Sequence, residues 1–221
     1  MVVLATKLYV EGDARERALD GLRSLVQNDV GDLDVDVDIG VRHDDFPTVT
    51  LDGPDEVAAR NVLVETWGEI TDEFEAGETY VGTLESWSED GFVLDAGQDI
   101  HIPTEEIGLG PGAPAQIRER FGLVQHVPLR FTYGDPSSLA EEEHDRLFEW
   151  TRGTGRLNVN SATRGEVRAT VNRAGHARDI VTVERLGLLE QSVVCREGTD
   201  PPGLLAAVGE HLRSELLCVV P

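Results

Sequence analysis

Residues 33–41 read Leu-Asp-Val-Asp-Val-Asp-Ile-Gly-Val, apolar and acidic residues alternating almost without a break. A period of two marks a half-buried strand, here with one aspartate face turned to water. Working outward from it fixes the N-terminal third. Upstream, Ala18, Leu19, Leu22, Leu25 and Val26 recur at helical spacing within residues 13–28, and Gly31 lies beyond the end. Downstream, residues 48–51 can pair back across the turn at His43, Asp44 and Asp45. Gly53 and Pro54 then open a second helix carrying Val57, Ala58, Val62 and Trp67, which Gly68 stops. With a short strand expected over residues 7–10, the order is strand, helix, strand, strand, helix.

Residues 153–221 repeat that order and complete it. A strand is expected over 157–160, and Thr163 can cap a helix carrying Val167, Val171 and Ala174, ended by Gly175. Residues 180–195 are too long and β-rich for one strand, and Gly187 lets them fold as a hairpin. Pro201 and Pro202 start a helix through Leu204, Leu205, Val208 and Leu212, and a last strand follows over 216–220. This βαββαβ order is the split, ferredoxin-like arrangement. The fold expected is therefore α+β, with ferredoxin-like α/β domains at residues 1–75 and 153–221. Between them, residues 76–135 are short strands and glycines. Ser138 stands three residues before Glu141 as a capping box, so 136–152 is expected to be a bridging helix.

Asp and Glu number 42 against 19 Lys and Arg, a net charge of −23, and Lys7 is the only lysine. At that density self-repulsion opposes a compact fold in dilute buffer. In molar salt the Debye length falls to about 3 Å and the charges become a tolerable hydrated shell. The pattern resembles cytosolic proteins of salt-in halophilic archaea, so the acid reports adaptation more than partners. The bases that survive are then the informative ones. Residues 1–75 carry 19 acids and 6 bases, whereas residues 136–221 carry 13 and 10, so the C-terminal third escapes most of the acidification. There Arg164 and Arg168 share a helix face, Arg173 and Arg178 flank its end, and Asn158, Asn160 and Asn172 lie close in sequence. Arginine with asparagine suits phosphates, sugar hydroxyls and base edges. Local pairing with Glu166, Asp179 or Glu184 is the competing reading, and a docking face for a protein partner is another.

The centre carries Gly77, Gly82, then Gly91-Phe-Val-Leu-Asp-Ala-Gly97, then Asp99-Ile-His-Ile-Pro103. These runs resemble the S1-type OB domain of RNA-binding proteins, with Gly82, Gly91, Phe92, Val93, Asp95, Gly97 and His101 at the family's positions. Pro103 stands where that family has serine, and residues 108–121 read as an enlarged insertion before the last strand. The resemblance implies a barrel that stacks bases on surface aromatics, each worth about 1–3 kcal/mol, beside a groove that tracks the backbone. Tyr80, Phe92 and His101 are the residues so placed, with Arg130 as a candidate phosphate contact. Over its whole length, through residues 55–68 and 184–190, the chain resembles an archaea-restricted family of uncharacterised proteins with an S1-type centre.

Catalytic and cofactor motifs do not emerge. The aspartates from Asp32 to Asp38 fail as a calcium loop, because the sixth position is Val37 and the twelfth His43. Residues 108–114 lack the Gly-Lys-Ser/Thr of a phosphate loop, there is no Gly-x-Ser-x-Gly elbow, and no His-Glu-x-x-His motif joins the six histidines. Cys195 and Cys218 would sit on non-adjacent strands, which argues against a disulfide. The apolar start is too short for a signal core and no run is long enough to span a membrane, so a cytoplasmic setting is expected. The reading is a non-enzymatic RNA-binding protein without cofactor or metal, associated with the ribosome or RNA processing. The alternative is a protein-interaction adaptor docking through the C-terminal domain.

Overall fold

The alternating stretch forms β2 (Asp36–Val41), hydrogen-bonded to β3 (Pro47–Asp52) in antiparallel register with Ile39 opposite Val49. The computed structural model describes residues 1–221 and places Asp34, Asp36 and Asp38 on the solvent side. Two helices cover the other side, α1 (Gly12–Val30) and α2 (Glu56–Trp67), burying Leu22, Val26, Leu63 and Trp67 against Val49 and Leu51. The buried stripe of α2 is Ala59, Leu63 and Trp67, one position beyond the expected Val57 and Ala58, and Val57 faces solvent.

The first strand is not at residues 7–10. It is β1 (Val2–Val3), which pairs with β3, and residues 7–10 form no ladder. Their apolar alternation is satisfied another way, because Leu8 packs into the N-terminal core while Lys7 and Tyr9 reach into the other two units. On the free side of β1, Leu4 bridges Glu69 antiparallel, so the missing sixth element of this unit survives as a single bridge.

The C-terminal unit follows β9 (Arg156–Val159), α5 (Arg164–Arg173), β10 (Ile180–Arg185), β11 (Gln191–Cys195), α6 (Pro201–Gly209) and β12 (Leu216–Val219). Its antiparallel sheet has the order β10-β11-β9-β12. Cys195 and Cys218 therefore lie on either side of β9, as free thiols. Thr163 caps α5 as expected. Thr163 and Glu166 form a reciprocal capping box at α5, and the Asp200 carboxylate accepts the Gly203 N–H at α6. Replacing Asp200 with alanine is expected to cost about 1 kcal/mol, read from a denaturant midpoint. An unchanged midpoint would show that α6 holds its start by packing alone.

Between the two lies a curled antiparallel sheet of order β6-β5-β4-β7-β8, built from β4 (Thr79–Ser88), β5 (Gly91–Asp95), β6 (Asp99–Pro103), β7 (Pro128–Thr132) and β8 (Ser138–Leu139). The sequence insertion becomes α3 (Pro114–Phe121), whose Ile117 and Phe121 join the core of this sheet. The expected capping box at Ser138 is absent, because Ser138 pairs with Thr132 as part of β8. The following helix, α4 (Glu141–Arg152), starts after Ala140 without a side-chain cap. Three glutamates in its first turn complement the helix dipole instead.

The three units share cores. The tip of the β10–β11 hairpin sends Leu188 and Leu189 into the N-terminal core, and Val219 of β12 joins the central one. No helix is long and apolar enough to cross a membrane.

Candidate functional site

The arginines of the C-terminal unit stand out by what they do not touch. Arg164, Arg168, Arg173 and Arg178 are all exposed, on α5 or just beyond it. The acids that could neutralise them are engaged elsewhere. Glu166 binds Arg17 at 3.1 Å, Asp179 binds His176 at 2.7 Å, and Glu184 binds Arg156. Arg164 donates through Nε to the Val183 carbonyl at 2.6 Å, and the other three make no ion pair or hydrogen bond within the chain. Asn172 is exposed beside them, but Asn158 and Asn160 are buried. Asn158 donates to the Gly122 carbonyl and Asn160 to that of Gln125, so both bind the central unit rather than a ligand.

The central sheet does not gather its candidates onto one face. Phe92 is fully buried in the core, so it packs the sheet and is not a base-stacking surface. The reason is its place on β5, where Leu94 and Phe92 point the same way into the curl. Tyr80 is half-buried between Phe74, 4.8 Å away between ring centroids, and Phe131, and its hydroxyl accepts the Glu75 N–H. Tyr80 and Arg130 line a hollow that also holds Glu69, Glu73 and Glu75, an environment that repels phosphate. Arg130 is already 3.7 Å from Glu143. His101 is exposed on β6, beside a separate hollow containing Asp99 and Asp135. Trp87 is covered by the Arg118 guanidinium, 3.7 Å from its ring.

A second cluster, which local sequence patterns did not reveal, lies where the three units meet. Lys7, nearly buried, places Nζ 3.0 Å from Glu85 and 2.7 Å from Asp95 of the central sheet. Burial pulls the Lys7 ammonium down, but hydrogen bonds to Asp95 and Glu85 and their charges outweigh it, and its pKa is raised. Burial pushes the Glu85 carboxyl up, yet His126, Thr83 and Lys7 bring it to about 2. His126 and Ser161 both hold a left-handed backbone, φ 67° and 56°, a conformation that costs non-glycine residues free energy. From the N-terminal unit, the Tyr9 hydroxyl donates to Glu190 at 2.7 Å and accepts the Ser161 N–H at 2.8 Å. Glu190 is fully buried, and its Oε2 has no partner. Gly187 leaves room for this carboxyl, since a Cβ on it would fall 2.2 Å from that oxygen and 3.0 Å from Pro128. The one sequence signal for this cluster was Lys7 itself, the single lysine in a chain that otherwise uses arginine. A compact ammonium between two carboxylates is a seat that suits lysine better than a planar guanidinium.

The class of protein so defined is a three-part α+β chain, with a curled central sheet between two flanking α/β units that share a buried junction. Family models match each part in turn, the DUF2110 N-terminal domain at residues 1–73, the central domain at 74–151 and the C-terminal domain at 154–220. The chain belongs to the DUF2110 family. No curated protein matches it.

Proposed function

We propose that this chain is a non-enzymatic RNA-binding protein that contacts the RNA backbone through the arginine edge of its C-terminal unit. The observation that carries the reading is that Arg164, Arg168, Arg173 and Arg178, grouped on α5 and just beyond it, all stay free of acid partners in a chain of 42 acids and 19 bases. Folding uses only the Arg164 Nε, on the Val183 carbonyl, and a ligand of opposite charge is the economical reason to keep the other three. We read the central unit as an S1-type OB barrel. Its strand order, the helix between its third and fourth strands, and the approach of β8 to β6 support that. We read the flanking units as ferredoxin-like, on their strand orders and their split connections. The setting is the cytoplasm of a salt-in halophile, at the ribosome or in RNA processing, which the acidic composition supports.

In molar salt, counterion release contributes little, and hydrogen-bonded arginine–phosphate pairs with some stacking must carry affinity. The test is RNA recovered with the native protein from a lysate in molar KCl, sequenced, and then measured by anisotropy against an Arg168→Gln, Arg173→Gln, Arg178→Gln triple variant. The triple variant is expected to bind at least about tenfold more weakly, with His101→Ala having a smaller effect. Recovery of a protein partner with no RNA above background would replace this reading with that of an adaptor. Exposed Val181 on the open edge strand β10 is where such a partner would add.

A further inference from the structure

A cleft of about 620 Å³ opens between the N-terminal and C-terminal units, bounded by α1, the start of α5 and the tip of the β10–β11 hairpin. That volume is in the range of small-molecule sites, roughly 300–1,000 Å³. Four independent features of its wall remain unexplained by folding. First, it is lined by Arg17, Arg164 and Arg185. Arg17 is engaged with Glu166, whereas Arg185 lies over the Trp67 ring at 4.0 Å and makes no hydrogen bond within the chain. Burial holds the Arg185 guanidinium below its ordinary value, with the charge of Asp29 opposing the shift and the weaker one of Arg164 adding to it.

Second, α5 begins in this wall. Its capping box satisfies the Thr163 and Glu166 N–H groups, leaving those of Arg164 and Gly165 without an acceptor. Third, Gln191 is fully buried, and its amide nitrogen donates to the Ala162 and Leu188 carbonyls, while its Oε1 has no donor. A buried acceptor without a partner in the chain takes its donor from outside it, a water or a ligand. Fourth, Gly21 and Gly165 both line the cleft, and a Cβ on either would meet nothing within 4 Å. Gly21 lies inside α1, where glycine is destabilising relative to alanine, and no neighbour in the fold requires it.

We propose that the cleft binds a small phosphate ester that also carries a hydroxyl or amino donor. The phosphate is held by Arg164, Arg185 and the free N–H groups at the start of α5. The donor reaches Gln191 Oε1, and the body of the ligand lies against the bare backbone at Gly21 and Gly165. The two sites share Arg164, but Arg185 and Gln191 are absent from the exposed arginine edge, so a variant at Arg185 tests the cleft apart from the RNA reading.

The test is calorimetry on the full chain with the four nucleoside 5′-monophosphates and ribose 5-phosphate, with inorganic phosphate and ribose as the two halves. At least one ester is expected to bind saturably and at least about tenfold more tightly than inorganic phosphate, the difference being the donor contact. Arg185→Gln is expected to weaken it by about tenfold or more. Because that change also removes packing on Trp67, Gly21→Leu is the second variant. It fills the cleft from an open helix face, and should abolish binding while leaving the melting temperature of the free protein unchanged or raised. Three results overturn the proposal: no ester binds, esters bind no better than inorganic phosphate, or binding survives both variants. If the variants weaken RNA binding while no ester binds, the cleft belongs to the RNA surface and the small-ligand site is lost.

Discussion

Replacing Lys7 with methionine should destabilise the chain by about 3 kcal/mol, a large fraction of the stability of a domain this size. Lys7 has only a tenth of its side chain exposed and sits between Glu85 and Asp95, which are themselves 24% and 19% exposed. Removing the ammonium leaves two carboxylates facing each other across a poorly hydrated gap. Breaking one side of a fully buried pair typically costs about 3–5 kcal/mol, and the residual exposure of the two acids places this case at the lower end. Methionine keeps the length and apolar stem, so the loss is electrostatic rather than a cavity. The double variant Lys7→Met with Asp95→Asn removes one of the stranded charges and is expected to recover part of the loss. Denaturant midpoints for the four members of the cycle measure this coupling. A single-variant change below about 1 kcal/mol would mean that water reaches Glu85 and Asp95 freely, and that the junction is not sealed.

That junction also shows where reading the sequence reached and where it stopped. Local patterns carry local structure. The alternation at 33–41 gave a strand with its aspartates outward, Thr163 gave a cap, and Gly187 gave a hairpin. Each of these depends on residues within a few positions of one another. Tyr9 and Glu190 are 181 residues apart, and no periodicity can announce such a pair. The same long-range contact misled the reading of residues 7–10, whose strand-like pattern serves two units at once. Phe92 illustrates a different gap. Its motif placed it on a strand, but which face of a curled sheet is inside depends on what closes over it, and α3, from the insertion, supplies part of that cover. The arginines of α5 were visible as a composition shift, and only the structure shows that their acid neighbours are engaged elsewhere. Arg185 and Gln191 were invisible as site residues, because a cleft between two units has no signature in either one.

Glu190→Gln is expected to leave stability nearly unchanged at pH 5 and to raise it by about 3 kcal/mol at pH 8. In the folded chain burial pushes the Glu190 carboxyl up to about 8, and the Glu85 charge adds to it, while hydrogen bonds from Tyr9 and from backbone N–H groups offset only part of the rise. The geometry agrees, since Oε2 has no donor and the nearby charges are not cations. An exposed glutamate in the unfolded chain titrates near pH 4.3. Between about pH 4.3 and 8 the native state therefore keeps a proton that the unfolded state releases, and stability falls as pH rises through that window. Glutamine cannot ionise, so its variant escapes this fall, though its amide N–H groups inherit the unpartnered position of Oε2 and limit the gain. Glu85 works in the opposite sense. Held at about 2, it contributes stability above its unfolded value that is lost as pH drops toward 2, in wild type and variant alike. The two effects bracket a maximum near pH 4.3 for the wild-type chain, with an alkaline slope that only the variant lacks. Denaturant midpoints at intervals from pH 4 to pH 9 on both proteins decide the matter. Parallel curves would mean that Glu190 is ionised in its buried seat, and that a cation or water reaches Oε2 to stabilise it.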